Sequence, residues 1–431
     1  MTPTATTAAP APRSRRMVGL LFLIFFVMSL LTNALAPIIP DILQSFRLSL
    51  TAAGFLPFAF FVAYGVMSIP AGMLISACSE KTAMVAGFAA ATCGALSFAV
   101  CPVYSTAVAS LFVIGCGMAM LQVSINPLLR VSGGEENMAF NSALAQLIFG
   151  SASFLSPILY SYLVQHVGRD KSTVMLVALA MLVPERLPWV SLYWLFTLIS
   201  AVMLVTLWVT RFPAVQLKGD EKGGTWPVHR ALLRNKIVLL YFISTFAYVG
   251  CEQGTADWMS QFLATYHHFN PQTSGAYAVS WFWGLLTAGC LLGLLLLKVF
   301  DSARILIVFS VAAILTLSIA LFGPGSWALI AFPLIGLFAS IMWPVIISLA
   351  LNSLAEHHGS FSGILCTGIA GGAVVPLLIG QIGDRFGLRA GMTFLYLTFG
   401  WVLSVGFWSN PLVRNKTIRA GKSSETVQQA A

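Results

Sequence analysis

Glu252 and Asp257 lie inside residues 237–264, IVLLYFISTFAYVGCEQGTADWMSQFLA, a stretch long enough to cross a bilayer. At a helical rise of about 1.5 Å per residue, Glu252 falls past the middle of a hydrocarbon core roughly 30 Å thick. A charge at that depth costs at least about 2.5–3.5 kcal/mol, so these carboxylates must face protein or water. The chemistry open to them is to take up and release a cation, and to accept hydrogen bonds from a polar solute. Gln253, Asp257 and Gln261 recur four residues apart, forming a polar stripe on one helix face. Gly250 and Gly254 are expected to loosen the same turns, as at a translocation site. The plainer alternative is a structural charge bonded to a neighbouring helix.

Other polar side chains fall at membrane depth: Asn33, Gln122, Asn126 and Gln146, with the aromatics Tyr248, Tyr277, Trp281, Trp283 and Trp343. Amides and carboxylates offer donors and acceptors in fixed geometry, which a hydroxylated ligand requires, and flat rings suit the C–H faces of a sugar. Taken singly, an intramembrane Asn or Gln is as often a bond between helices, and Trp or Tyr near a span end is often interfacial. The candidate substrate-binding set is Asn33, Gln122, Asn126, Gln146, Glu252, Gln253, Asp257, Tyr277, Trp281 and Trp343. Glu252 and Asp257 are the candidate ion-coupling pair, for H⁺ or Na⁺. No cofactor is expected beyond that ion. His267-His268 and His357-His358 are adjacent pairs whose rings diverge, the seven cysteines have no paired spacing, and no metal site is expected. There is no GxxxxGK[ST] phosphate loop and no Ser/His/Asp set at bilayer depth, so an enzyme is not expected.

The elements that must position these groups follow from composition. Apolar residues make up 58% and charged residues 9%, against about 25% charged in a soluble domain. The fold class is therefore all-α integral membrane, with room in 431 residues for twelve helices. A polar tail (1–16), expected to be disordered, precedes an N-terminal six-helix bundle (17–211). A basic, glycine-containing linker (212–236) leads to a C-terminal six-helix bundle (237–410) and a basic tail (411–431). Span 1 runs from Met17 to Ile39, which leaves Glu252 and Asp257 as the only acids clearly within a span. Residues 173–184 are apolar but too short to cross, and are expected in a loop before span 6. With both tails in the cytoplasm, inner segments hold 17 Lys/Arg and outer segments six, the positive-inside bias. The net charge of +9 thus reports orientation and contact with anionic lipid rather than nucleic acid.

Several motifs carry a family likeness: YGVMSIPAG (64–72), LQVSINP (121–127), NMAFNSALAQ (137–146), VSLYW (190–194), YVGCE (248–252), GLFASIMWP (336–344) and SGILCTGIAGGAVVP (362–376). In that order they resemble the fucose–proton symporter and glucose/galactose permease branch of the major facilitator superfamily. The resemblance implies two pseudo-symmetric six-helix bundles, alternating access and a central sugar site, with the family's polar positions falling on Asn33, Gln122, Asn126, Gln146 and Glu252. The chain departs from the fucose symporters at Asn33 and Gln122, where they have acids, and at Ala339 and Cys290, where Asn and Arg are expected. An amide cannot carry a proton, so coupling would move to Glu252 or Asp257. The sequence DRFG (384–387) resembles a loop signature of the superfamily but falls on the opposite side of the membrane from the expected one.

The expected function is a cation-coupled monosaccharide transporter, hexose being the solute, working as a monomer in a bacterial inner membrane. The alternatives are a proton-coupled exporter of amphipathic molecules, an uncoupled sugar uniporter, and a sugar sensor that does not transport.

Overall fold

The computed structural model describes residues 15–134, 137–170, 173–212, 230–354 and 358–409, apart from the side chains of Ser76, Asn126, Arg130, Met138, Ala139, His358 and Gly359. The first tail up to Ser14, the tail from 411, most of the linker, Glu135, Glu136 and His357 lie outside the described residues, as does the side chain of the candidate Asn126. Arg15 and Arg16, expected in the disordered tail, instead begin a helix.

Among the described residues twelve helical segments are long and apolar enough to cross a membrane: Arg15–Phe46, Leu50–Ile75, Glu80–Val100, Tyr104–Gly133, Phe140–His166, Pro188–Val209, Lys236–His267, Pro271–Val299, Ser302–Phe322, Gly325–Leu351, Ser360–Phe386 and Leu388–Trp408. These are spans 1 to 12. Lipid offers the backbone no hydrogen-bond partner, so each span satisfies its own N–H and C=O groups as a helix. Short connections make successive spans antiparallel, and six lie on each side of residues 213–229. The side where span 1 starts and span 12 ends is termed the terminal end, and the opposite side the distal end.

Span ends carry local caps. The Ser49 hydroxyl accepts from the Ala52 N–H at the start of span 2, and the Asp301 carboxylate accepts from Ala303 and Arg304 at the start of span 9. Lys81 donates through Nζ to the carbonyls of Trp208 and Thr210, each at 2.8 Å. A cation thereby meets the negative end of span 6 and ties it to the start of span 3.

Three expectations need correction. Span 1 does not stop at Ile39. It breaks at Asn33–Ala34, resumes at Leu35 and runs to Phe46, and Asp41 is buried within it. Pro37 removes an N–H and its ring crowds the carbonyl of residue 33, which explains the break; Pro40 is then absorbed in the second piece. Residues 174–182 are not loop but a nine-residue helix, Val174–Leu182, that buries Leu176 and Leu179. Span 7 is not loosened at Gly250 and Gly254: it is one continuous helix of 32 residues. A Cβ on either glycine would collide with span 11, at Val375 or Ile379, so these glycines serve close packing.

The two halves meet at the distal end. Span 2 approaches span 11 so closely at Gly54 that an added Cβ would sit 2.9 Å from the Leu377 Cα. Gly65 and Gly72 share that face of span 2, since 11 and 18 residues are close to whole numbers of turns. An added Cβ on either would meet nothing within 4 Å. Span 5 behaves the same way against span 8. Gly150 packs on Thr287, the Ser280 hydroxyl donates to the Phe154 carbonyl at 2.6 Å, and one turn toward the terminal end Gln146 is exposed. The halves therefore part toward the terminal end: the molecule is closed distally and open terminally.

Candidate functional site

Beneath the distal closure the halves enclose a small space. It is lined by Leu31, Thr32 and Leu35 of span 1, Phe60 and Phe61 of span 2, Leu111 and Ile114 of span 4, Tyr193 and Phe196 of span 6, and Gln253 and Asp257 of span 7. The break in span 1 places Thr32 and Leu35 on either side of an interrupted turn at this level. Phe61 packs beside Gln253, and both lie against Gly372 of span 11, where any side chain would intrude. The space is about 20 Å³, room for a single water molecule. A larger solute can occupy this position only after the helices separate.

Asp257 is 3% exposed and its Oδ2 has no hydrogen-bond partner. Burying an unpaired carboxylate oxygen is costly, and the cost is relieved by a proton, a metal cation or a solute hydroxyl. One turn earlier Gln253 adds an amide on the same face, as the stripe periodicity requires. Gln261 continues the stripe into a separate, wider recess of about 590 Å³ at the distal surface, beside Gln44, His268 and Phe269.

Glu252 takes another direction. Five residues before Asp257, it lies about 140° around the helix and faces spans 8 and 10 within the C-terminal half. The Tyr248 hydroxyl hydrogen-bonds it, Cys290 faces it, and the Trp343 ring lies 5.8 Å from that of Tyr248. Glu252, Tyr248 and Trp343 thus form one polar–aromatic group, distinct from the space at Asp257. The two acids of the sequence stretch are not one site.

The remaining candidates disperse. Asn33 is buried between spans 1 and 5, donating to Ser153 Oγ at 2.9 Å and to the Ser29 carbonyl at 3.2 Å. It joins helices across the span 1 break and does not line the enclosed space, a correction to its reading as a ligand. Gln122 is half-buried in span 4, and Gln146 sits on the face of span 5 that becomes exposed where the halves part. Tyr277 and Trp281 also need correction: one turn apart on span 8, they are 46% and 55% exposed, with Trp281 edge-on to Phe154. Neither ring lines the enclosed space, and Trp281 instead sits at the seam between spans 5 and 8.

Sequence reading missed Asp41, which is 5% exposed and accepts a 2.6 Å hydrogen bond from the Tyr160 hydroxyl. Gln272, from the other half, donates to the same carboxylate at 3.1 and 3.2 Å. The pattern APIIPDIL was an available signal, an acid followed and preceded by apolar residues, but its two prolines made a helix end the simpler reading. Thr32, Phe60, Phe61 and Tyr193 were missed because nothing local distinguishes them from packing residues. Among the described residues no group of three or more His, Cys, Asp or Glu side chains could hold a metal ion.

This architecture has known counterparts. The family model of the Major Facilitator Superfamily matches residues 21–376. The chain belongs to the major facilitator superfamily. As a member it is a multi-pass membrane transporter rather than an enzyme. A glucose/galactose transporter of Brucella abortus is 30% identical over 396 residues, covering 90% of this chain and 92% of that protein. The L-fucose-proton symporter of Escherichia coli is 27% identical, covering 86% and 87%. Among solved structures, a bacterial homolog of the human lysosomal transporter Spinster, inward-facing and unoccupied, superposes with a TM-score of 0.77 at 14% identity, covering 93% of this chain and 98% of its own. The superfamily transporter FucP in the outward conformation gives 0.65 at 23% identity, covering 91% and 98%.

Proposed function

We propose that this protein is a monosaccharide transporter, with a hexose as solute, that couples uptake to H⁺ or Na⁺ by alternating access. The observation that carries the reading is the unpartnered Asp257 carboxylate oxygen, buried where span 7 meets spans 1, 2, 4 and 6 of the other half. A cation bound there is shared between halves, so its binding favours one arrangement of them over another, which coupling requires. Gln253 and Thr32 supply solute hydrogen bonds at the same level, and the rings of Phe60, Phe61, Tyr193 and Phe196 supply faces for C–H groups. The names of the glucose/galactose and fucose relatives support a sugar, and the near-complete overlap supports carrying that class across. The Lys/Arg excess supports a terminal end in the cytoplasm, and in that orientation the described state is open inward. The protein works as a monomer in lipid.

Purified protein in liposomes, given labelled glucose or galactose, tests this directly. Uptake that rises with an inward Na⁺ or H⁺ gradient is the expected result. Uptake indifferent to both ions leaves a uniporter, and sugar binding without flux leaves a sensor. The mostly apolar lining of the enclosed space also fits an exporter of amphipathic molecules. Thermal stabilisation by lipophilic cations and not by hexoses would select that second reading.

A further inference from the structure

The DRFG sequence has no part in the site, yet its first residue makes a two-pronged polar contact between the halves. Asp384, at the distal end of span 11, accepts from the Leu50 N–H through Oδ1 and from the Thr51 N–H through Oδ2, each at 2.8 Å. Those N–H groups are free donors of the first turn of span 2, where the helix dipole is positive. The carboxylate belongs to one half and the helix start to the other. Asp41 mirrors it: its carboxylate belongs to the N-terminal half and accepts from Gln272 of the C-terminal half. Between them the backbones of spans 2 and 11 touch, with an added Cβ on Gly380 only 2.5 Å from the Leu50 carbonyl oxygen.

We propose that Asp384 and Asp41 are reciprocal latches of a distal gate, and that solute entry from the distal side requires both to release. Each crosses the line along which the halves part, and neither lies on the enclosed space. Rocking the halves apart distally would pull Asp384 from the span 2 N–H groups and Asp41 from Gln272, and each group would turn to water. The latches therefore weight the equilibrium toward the distally closed state without touching solute or ion.

The test uses full-length protein with its native cysteines replaced and spin labels at Ser105→Cys and Ser326→Cys, exposed positions at the distal end of opposite halves. The parent should give mainly one short distance. Asp384→Ala should raise the ratio of long to short distances about fivefold, the scale of a charge at an exposed helix start. Leu50→Pro removes one of the two N–H donors at a position where proline suits a helix, and should give part of that increase. Combined with Asp384→Ala it should add little. Gln272→Leu should raise the ratio independently while leaving Asp41 bonded to Tyr160. Asp384→Glu should restore part of the closed population. Distance distributions unchanged in Asp384→Ala, Leu50→Pro and Gln272→Leu, or a parent already dominated by long distances, overturn the proposal. If Asp384→Ala lowers thermal stability but no variant moves the distances, the carboxylate is a structural cap only.

Discussion

The two ends of this molecule use the same helices differently. At the distal end, span 2 lies backbone to backbone on span 11 at Gly54, Asp384 caps the start of span 2, and Asp41 reaches Gln272. Toward the terminal end, Gly65 and Gly72 on the same face meet open space, and Gln146 is exposed one turn beyond the Gly150 contact. The difference teaches that small residues along one stripe do not mark a single interface. They permit close approach at either level, and the state of the molecule decides which level is closed. The enclosed space at Asp257 sits just where the closed part ends.

The comparison can be broken most severely at Asp257. A symporter moving one net charge can accumulate solute roughly fiftyfold at 100 mV, since that potential is worth about 2.3 kcal/mol per charge. Asp257→Asn should reduce accumulation to none while sugar exchange across the membrane persists. If Glu252→Gln does this instead, coupling resides in the Tyr248 group within one half. Next in size, Gly54→Ala should cost about 1–3 kcal/mol of thermal stability by overpacking the closed distal contact. Gly72→Ala, on the same face, should stay within about 0.5 kcal/mol. Equal costs would deny that the ends differ.

Asn33→Ala should cost about 1 kcal/mol through the lost bond to Ser153, with the sugar KM unchanged. A KM raised more than tenfold would return Asn33 to the ligand set. Smallest of all, Tyr277→Phe and Trp281→Leu should leave kcat/KM within about twofold, measured by initial uptake rates, because neither ring lines the enclosed space. Each of these effects is read in the same liposomes, so folding and transport can be separated for every variant.

Much of the fold was legible because a span is a local property. Twenty or so apolar residues must become a helix in lipid whatever surrounds them, and the breaks between such runs were visible around Ser79, Cys101 and Gly323. Where proline and polar residues interrupted a run, legibility failed: Pro37 and Pro40 hid the continuation of span 1 and with it Asp41. The polar stripe of span 7 was readable as a period, and Gln253 and Asp257 do share a face. Its glycines were read as weakness because packing against Val375 and Ile379, more than a hundred residues away, leaves no local trace.

By itself the sequence determined the number of spans, the apolar runs that form them and the position of Glu252 and Asp257 inside the seventh. Each depends on transfer between water and lipid, which acts segment by segment. Only the tertiary structure decided that these two acids serve different surroundings, that Asn33 joins helices, and that Asp384 meets a helix start 334 residues away. Rotation of a helix about its axis changes neither its hydropathy nor its length. What fixes it is the fit of small and large side chains on partners distant in the chain, and that fit exists only once the halves have packed.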